Sequence, residues 1–195
     1  MRNHNPYFRG CHRRARRRLS VAAISLGLLL TLVGPATMAA APTEYQLKAA
    51  FVFNFAKFVE WSASAFRTAQ TSITICIFGE DRFGGDLDEL VKGQSIGGRS
   101  LAVRRIAQAP RGDACQVLFV SSGDPSQAQE LLHAVANLPI LTVSEDDEAS
   151  RRGYIIQLLL EDNKIRFAID LESAERAGIK ISSKLLKLAK RIHER

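Results

Sequence analysis

The chain has 195 residues, and its 27 lysines and arginines outnumber its 20 acidic residues, for a formal net charge of +7. Seven of the arginines lie between Arg2 and Arg18, so residues 41–195 carry 20 basic and 20 acidic side chains and are formally neutral. The excess positive charge therefore belongs to the leader and gives no ground for nucleic-acid binding, so we exclude DNA and RNA as partners.

The first forty residues have the three parts of a secretory signal. A basic stretch without acidic residues spans 2–18, an apolar stretch spans 19–33, and small residues fill 36–41. The apolar stretch is about 15 residues long, whereas a membrane-spanning helix needs about 20. We therefore predict a signal peptide over residues 1–40, cleaved near Ala39-Ala40, with an uncleaved anchor as the alternative. The length of the remaining stretch, residues 41–195, predicts a single domain, and the signal predicts that this domain lies in the periplasm.

Helices and strands alternate along this domain. The first predicted helix spans 44–61 with Thr43 as its N-cap. Predicted strands follow at 72–78, 101–106, 115–120 and 139–143, then a hairpin of 154–160 and 164–169; further helices are predicted at 83–92, 124–137, 171–177 and 182–190. The pattern indicates an α/β fold: a Rossmann-like three-layer domain with a mainly parallel sheet, an antiparallel edge hairpin and helices on both faces.

Two cysteines remain after the leader, which contains Cys11. Cys76 and Cys115 form an even pair in a compartment that supports disulfides. The residues alone leave two interpretations, a Cys76–Cys115 disulfide or two buried thiols on neighbouring strands.

Two clusters are candidate partner-binding sites. Asn54, Lys57 and Trp61 are spaced i, i+3, i+7, which places them on one face of the first predicted helix. Tryptophan is a common anchor at protein interfaces, although Trp61 could equally plug the sheet while Lys57 extends along its surface.

The second cluster is Ser182, Ser183 and Lys184 at the start of the last predicted helix. Hydroxyls, free amides and an ammonium group can together hold an anion or an acidic partner residue, whereas simple N-capping needs only Ser182. The basic side chains of this helix could also face a membrane surface, or merely solvent.

Catalytic and cofactor motifs are missing from the sequence. The domain's two histidines, His133 and His193, have no metal-ligand spacing, and no Gly-x-Ser-x-Gly motif precedes a helix. We expect no enzyme, no metal site and no cofactor.

Six stretches resemble the YfiR/HmsC family of periplasmic regulators, in order: EYQLKAAF (44–51), NFAKFVEW (54–61), ICIFGEDRFG (75–84), VLFVS (117–121), LTVS (141–144) and ISSKLL (181–186). The resemblance implies a non-enzymatic repressor that binds the periplasmic sensor region of an inner-membrane diguanylate cyclase. It also implies release by an outer-membrane lipoprotein or by a redox change, and hence control of cyclic di-GMP and biofilm formation. Cys76 and Cys115 match a bridged pair of the family, whereas the second cysteine pair of some members has no counterpart here.

One alternative is a sensor of a small anionic metabolite, held by the carboxyl end of the sheet together with Ser182, Ser183 and Lys184. Another is a periplasmic enzyme that uses His133 or His193 as its base. The sequence also leaves open a homodimer.

Overall fold

The computed structural model describes residues 41–110, 114–121 and 123–194. Pro42–Arg195 form one unit. The predicted signal peptide and its cleavage site lie outside the described residues.

Six α-helices lie in the described residues: α1 Glu44–Lys57, α2 Asp86–Val91, α3 Pro125–Val135, α4 Ala149–Arg152, α5 Leu171–Arg176 and α6 Ser183–Leu186. The strands there are β1 Val59–Glu60, β2 Ile73–Phe78, β3 Ser95–Ile96, β4 Arg99–Ile106, β5 Val117–Val120, β6 Leu141–Ser144, β7 Ile156–Glu161, β8 Lys164–Asp170, β9 Lys180–Ile181 and β10 Arg191–His193.

The main sheet has the order β10-β8-β7-β6-β5-β2-β4-β3. Strands β4, β2, β5, β6 and β7 are parallel neighbours, and β7 and β8 form an antiparallel hairpin. This confirms the predicted α/β class with a mainly parallel sheet. The parallel strands follow the doubly wound order 2-1-3-4-5. In this order β4 is added on one side of β2, and β5, β6 and β7 are added on the other, so the order of the strands reverses between β2 and β5.

Helices cover both faces of the sheet because the strands are apolar on both sides. Ile73, Ile75 and Ile77 of β2 face a core that includes the buried side chains of α1 and α2. Cys76 of the same strand faces a second core, which includes the buried side chains of α3. Because successive side chains of a strand point to opposite faces, neighbouring residues of β2 contact different helical layers.

The two cysteines form the disulfide that the family resemblance implies. Cys76 and Cys115 are bonded, with Cα atoms 5.9 Å apart, and both residues are buried. Cys115 lies just before β5 rather than within it. The bridge therefore ties the connection between β4 and β5 to the middle of β2.

The first helix is shorter than predicted. It ends at Lys57, and Val59 and Glu60 form β1, which pairs antiparallel with Ile181 and Lys180 of β9. Trp61 follows this strand, so the prediction that it shares a helical face with Asn54 and Lys57 is wrong. The prediction was too long because the apolar pattern continues to residue 61 without a local stop signal. The pairing of β1 with β9 ends the helix instead.

The C-terminal helix is also shorter than predicted. It comprises only Ser183–Leu186, and Arg191–His193 form β10, which pairs in parallel with β8. The β7–β8 hairpin is therefore covered by β10, and its prediction as the edge of the sheet is wrong. The opposite edge carries the antiparallel pair β3–β4, which the sequence analysis did not predict.

Candidate partner-binding surface

The N-terminal end of α1 is fixed to the carboxyl end of the sheet. Thr43 and Gln46 form a capping box that starts the helix. One turn on, the ammonium of Lys48 lies 2.5 Å from the carboxylate of Glu145, the residue that follows β6. The hydroxyl of Tyr45 donates to the same carboxylate. Both charged side chains are more than nine-tenths buried, so this contact positions the helix as well as neutralising the charges.

The electrostatics of this contact favour a structural role. Burial alone would lower the pKa of Lys48, but its hydrogen bonds to Glu145 and Glu44 outweigh burial and raise that pKa. A lysine that attacks a substrate needs the opposite shift, toward a neutral amine. Lys48 therefore remains charged and holds α1 in place.

At the other end of α1, the two predicted clusters meet. The amide of Ser182 donates to the carbonyl of Phe58 at 2.9 Å, and the adjacent β1–β9 pairing places Val59 beside Ile181. Residues separated by more than 120 positions in the sequence thus become backbone neighbours. We call the surface formed by Asn54, Lys57, Trp61, Ser182, Ser183 and Lys184 the α1–α6 surface.

The two helical members of the first cluster are exposed, whereas the tryptophan is partly buried. Asn54 and Lys57 face solvent, and the ammonium of Lys57 lies 4.0 Å from the centre of the Phe53 ring. Trp61 packs edge-on against Phe66, and its indole nitrogen is buried without a hydrogen-bond partner in the described residues. Trp61 thus belongs partly to the core.

In the second cluster, one hydroxyl is used by the fold. The Oγ of Ser182 accepts a hydrogen bond from the amide of Leu185, which is the N-capping role predicted as one alternative. Ser183 and Lys184 are exposed beside it. Because α6 has only four residues, its amides form no substantial anion site.

The segment after Trp61 is held by polar contacts at the amino end of the sheet. The buried side-chain amide of Gln116, just before β5, donates to the carbonyl of Ala65 and accepts from the amide of Thr74. Arg99, at the start of β4, stacks over the Phe66 ring and donates to the carbonyl of Thr71. These contacts fix the backbone that carries Trp61.

A crevice lies at the opposite end of the sheet, where the parallel order reverses between β2 and β5. It has a volume of about 260 Å³, and its lining includes Gly79, Ser121, Asp124 and Gln127. Ligands bind at this position in many open α/β sheets. The α1–α6 surface lies near the far end of α1, which is about 20 Å long. The structure therefore does not bring Ser182, Ser183 and Lys184 to the crevice.

The two histidines lie on separate elements, α3 and β10. His133 is exposed on α3, where its ring is 2.8 Å from the side-chain amide of Gln129. His193 is exposed on β10 at the edge of the sheet.

These features define a mixed α/β domain with a disulfide, in which the segments that carry the two candidate clusters are backbone neighbours. The chain belongs to the YfiR/HmsC-like family, whose sequence description matches residues 45–190, about three quarters of its length. Proteins of this family are periplasmic regulators rather than enzymes, and membership implies regulation of a diguanylate cyclase. In the part of the chain that the structure describes, no helix is long and apolar enough to span a bilayer.

Proposed function

We propose that this protein represses an inner-membrane diguanylate cyclase by binding its periplasmic sensor region through the α1–α6 surface. Repression lowers cyclic di-GMP in the cytoplasm and so limits biofilm formation. An outer-membrane lipoprotein is a second partner in this scheme, because sequestration there would release the cyclase. The export of the chain by a cleaved signal over residues 1–40 is part of the same proposal.

The observation that carries the proposal is the joining of the two clusters by backbone contacts. The hydrogen bond from Ser182 to Phe58 and the β1–β9 pairing hold both clusters on one backbone frame. A surface that is fixed before binding loses little conformational entropy on association. The α1–α6 surface is therefore suited to recognising one state of a partner.

The charges of the surface indicate what kind of partner surface it fits. Lys57 and Lys184 are exposed and form no ion pair within the described residues. Two uncompensated ammonium groups favour a partner surface with acidic side chains. Trp61, being half-buried, supports this surface from beneath and contributes its remaining exposed edge.

Repression then follows from a difference in affinity between two states of the cyclase. A protein that binds the inactive state more tightly shifts the equilibrium toward that state without any chemical step. The size of the shift equals the ratio of the two affinities. No covalent reaction or cofactor is needed.

The test is a binding measurement between the oxidised, exported domain and the solubilised cyclases of an inner-membrane extract. Lys57→Glu combined with Lys184→Glu is expected to weaken binding of a captured cyclase at least tenfold, because two attractive charge contacts become repulsive. Lys164→Glu is the matched control, since Lys164 is an exposed lysine at the turn of the β7–β8 hairpin. Capture of no diguanylate cyclase, or equal binding by the double variant and the control, would contradict the proposal.

A second candidate function, sensing of a small ligand, rests on the crevice between β2 and β5. Its charged lining residue is Asp124, a carboxylate whose pKa is held low by hydrogen bonds from Ser126. An acidic lining disfavours the anionic metabolite that the sequence suggested. Stabilisation of the domain by nucleotides or other anions, lost when Gln127 is replaced by alanine, would support that sensor; stabilisation by none of them would exclude it.

A further inference from the structure

Charge is divided unevenly along the domain. Residues 41–179 contain 14 lysines and arginines against 19 acidic residues, so their formal charge is −5. Residues 180–195 contain six lysines and arginines against one glutamate, so their formal charge is +5. The neutral total therefore conceals a strongly basic C-terminal segment.

Part of this segment forms one outward face. Hydrogen bonds from the amide of Lys187 to Ser183 and from that of Leu188 to Leu185 continue the turn of α6 beyond its last helical residue. Lys184, Lys187 and Leu188 are spaced i, i+3, i+4 and share the outer side, while Leu185 points into the core. Leu188 is 67% exposed, more than the other large apolar residues found exposed in the described chain.

Within the described residues, the cations of this face differ from those that follow in having no ion pair. Lys190 and Arg191 both contact the carboxylate of Glu161 on β7. Lys184 and Lys187 have no ion pair among the residues that the structure describes. We call Lys184, Lys187 and Leu188 the basic patch.

We propose that the basic patch binds the anionic lipid surface of a bilayer, with Leu188 entering the interface and the two ammonium groups contacting lipid phosphates. The proposal rests on the proposed function only in placing the protein beside the inner membrane. In that position, lipid contact would orient the neighbouring α1–α6 surface toward a membrane-anchored partner.

A lipid surface fits the patch as a whole better than the buried centre of a protein interface does. Lysine is depleted in such centres, where a partner must desolvate it, whereas the rim of an interface is polar and leaves Lys184 able to contact an acidic partner residue. Beside an anionic bilayer, each lysine keeps much of its water and still strengthens binding about fivefold. An exposed leucine flanked by lysines has the composition of segments that lie in the membrane interface.

The experiment is co-sedimentation of the exported, oxidised protein with lipid vesicles. One set of vesicles is phosphatidylcholine, and the other contains about one third phosphatidylglycerol, the anionic lipid. Mass spectrometry first confirms that the seven leader arginines have been removed, because they would bind anionic lipid themselves. We expect binding to the anionic vesicles only. We also expect loss of binding at high salt, because screening by salt shortens the range of electrostatic attraction.

The variants assign the binding to the patch. Lys184→Gln with Lys187→Gln should weaken vesicle binding about 25-fold, from two lysines at about fivefold each. Leu188→Ser should weaken it further, and Lys92→Gln, at an exposed lysine that follows α2, should leave it unchanged. Equal sedimentation with both kinds of vesicle, or unchanged binding by the patch variants, would overturn the proposal.

The two proposals fail separately. Lys187 and Leu188 lie outside the α1–α6 surface, so Lys187→Gln with Leu188→Ser should weaken vesicle binding more than about fivefold and leave capture of a detergent-solubilised cyclase intact. Vesicle binding without capture of any cyclase would refute the proposed function alone. Cyclase capture without binding to anionic vesicles would refute the lipid proposal alone.

Discussion

Replacing Lys48 with methionine should be among the most destabilising single changes in this protein. The substitution keeps the length and apolar character of the side chain but removes the charge that faces Glu145. The carboxylate of Glu145 is only 6% exposed, so water cannot replace the lost ammonium group. Tyr45 still donates to the carboxylate, and the guanidinium of Arg82 lies 3.9 Å away, which provides partial compensation.

The expected magnitude follows from these contacts. Breaking a buried ion pair by removing one partner costs about 3–5 kcal/mol, because the other charge stays buried and uncompensated. Since Tyr45 and Arg82 remain, we expect a loss near the lower end, about 3 kcal/mol. Domains of this size unfold with about 5–15 kcal/mol, so the variant should lose a large share of its stability.

Urea unfolding followed by circular dichroism measures this loss, provided that the slopes of the transitions agree. The informative comparison is the double variant Lys48→Met with Glu145→Gln, which removes both charges and keeps an acceptor for the Tyr45 hydroxyl. It should recover most of the lost stability, to within about 1 kcal/mol of the natural protein. If the single variant loses less than about 1 kcal/mol, or the double variant is no better than the single one, the assignment of Lys48 as a buried structural charge is wrong.

Three further predictions concern the sheet and its connections. Reduction of the Cys76–Cys115 disulfide should lower the free energy of unfolding by about 4 kcal/mol, since the bridge closes a loop with a sequence separation of 39; an unchanged urea midpoint after thiol labelling would contradict this. Ser144→Ala should lower the free energy of unfolding by about 1–2 kcal/mol, because the Ser144 hydroxyl donates to the Val120 carbonyl. Ser121→Ala should be neutral or stabilising, because that buried hydroxyl has no partner in the described chain. Equal losses of stability in the two variants would refute this distinction. Hydrogen bonds from Arg105 lower the pKa of Asp88 in the folded state. The stability that this pair contributes is therefore present above about pH 4 and is lost as the pH falls through the lowered pKa. Asp88→Asn should flatten that part of the plot of unfolding free energy against pH, and an unchanged plot would exclude the effect.

Local patterns were sufficient for much of the fold. The continuous apolar run of β2 predicted a strand buried on both faces, because both sides of a parallel strand need apolar residues. The hairpin turn was visible at Asp162 and Asn163, which adopt φ values of 49° and 58° that such residues tolerate. Thr43 started α1 where the capping pattern predicted, and Cys76 and Cys115 formed the bridge, one of the two arrangements that the residues left open.

The ends of the first and last predicted helices could not be predicted in this way. Strands β1 and β9 have two residues each and carry no periodic signal of their own, so they form only because they pair with each other across about 120 residues. The same is true of β10, whose pairing with β8 ends the C-terminal helical turn early. In each case a pairing between distant residues overrode a local helical pattern.

The sequence by itself determined the class of fold, its parallel core and the start of the first helix, because these depend on apolar periodicity and capping chemistry. For Cys76 and Cys115 it left a disulfide and two buried thiols open, and the structure shows the disulfide. Only the tertiary structure decided that Phe58 and Val59 become backbone neighbours of Ser182 and Ile181, and that Trp61 lies partly in the core. It also decided that Lys48 is buried against Glu145, 97 residues away. The physical reason is that such contacts are made by the path of the backbone in space, which short-range spacing does not encode.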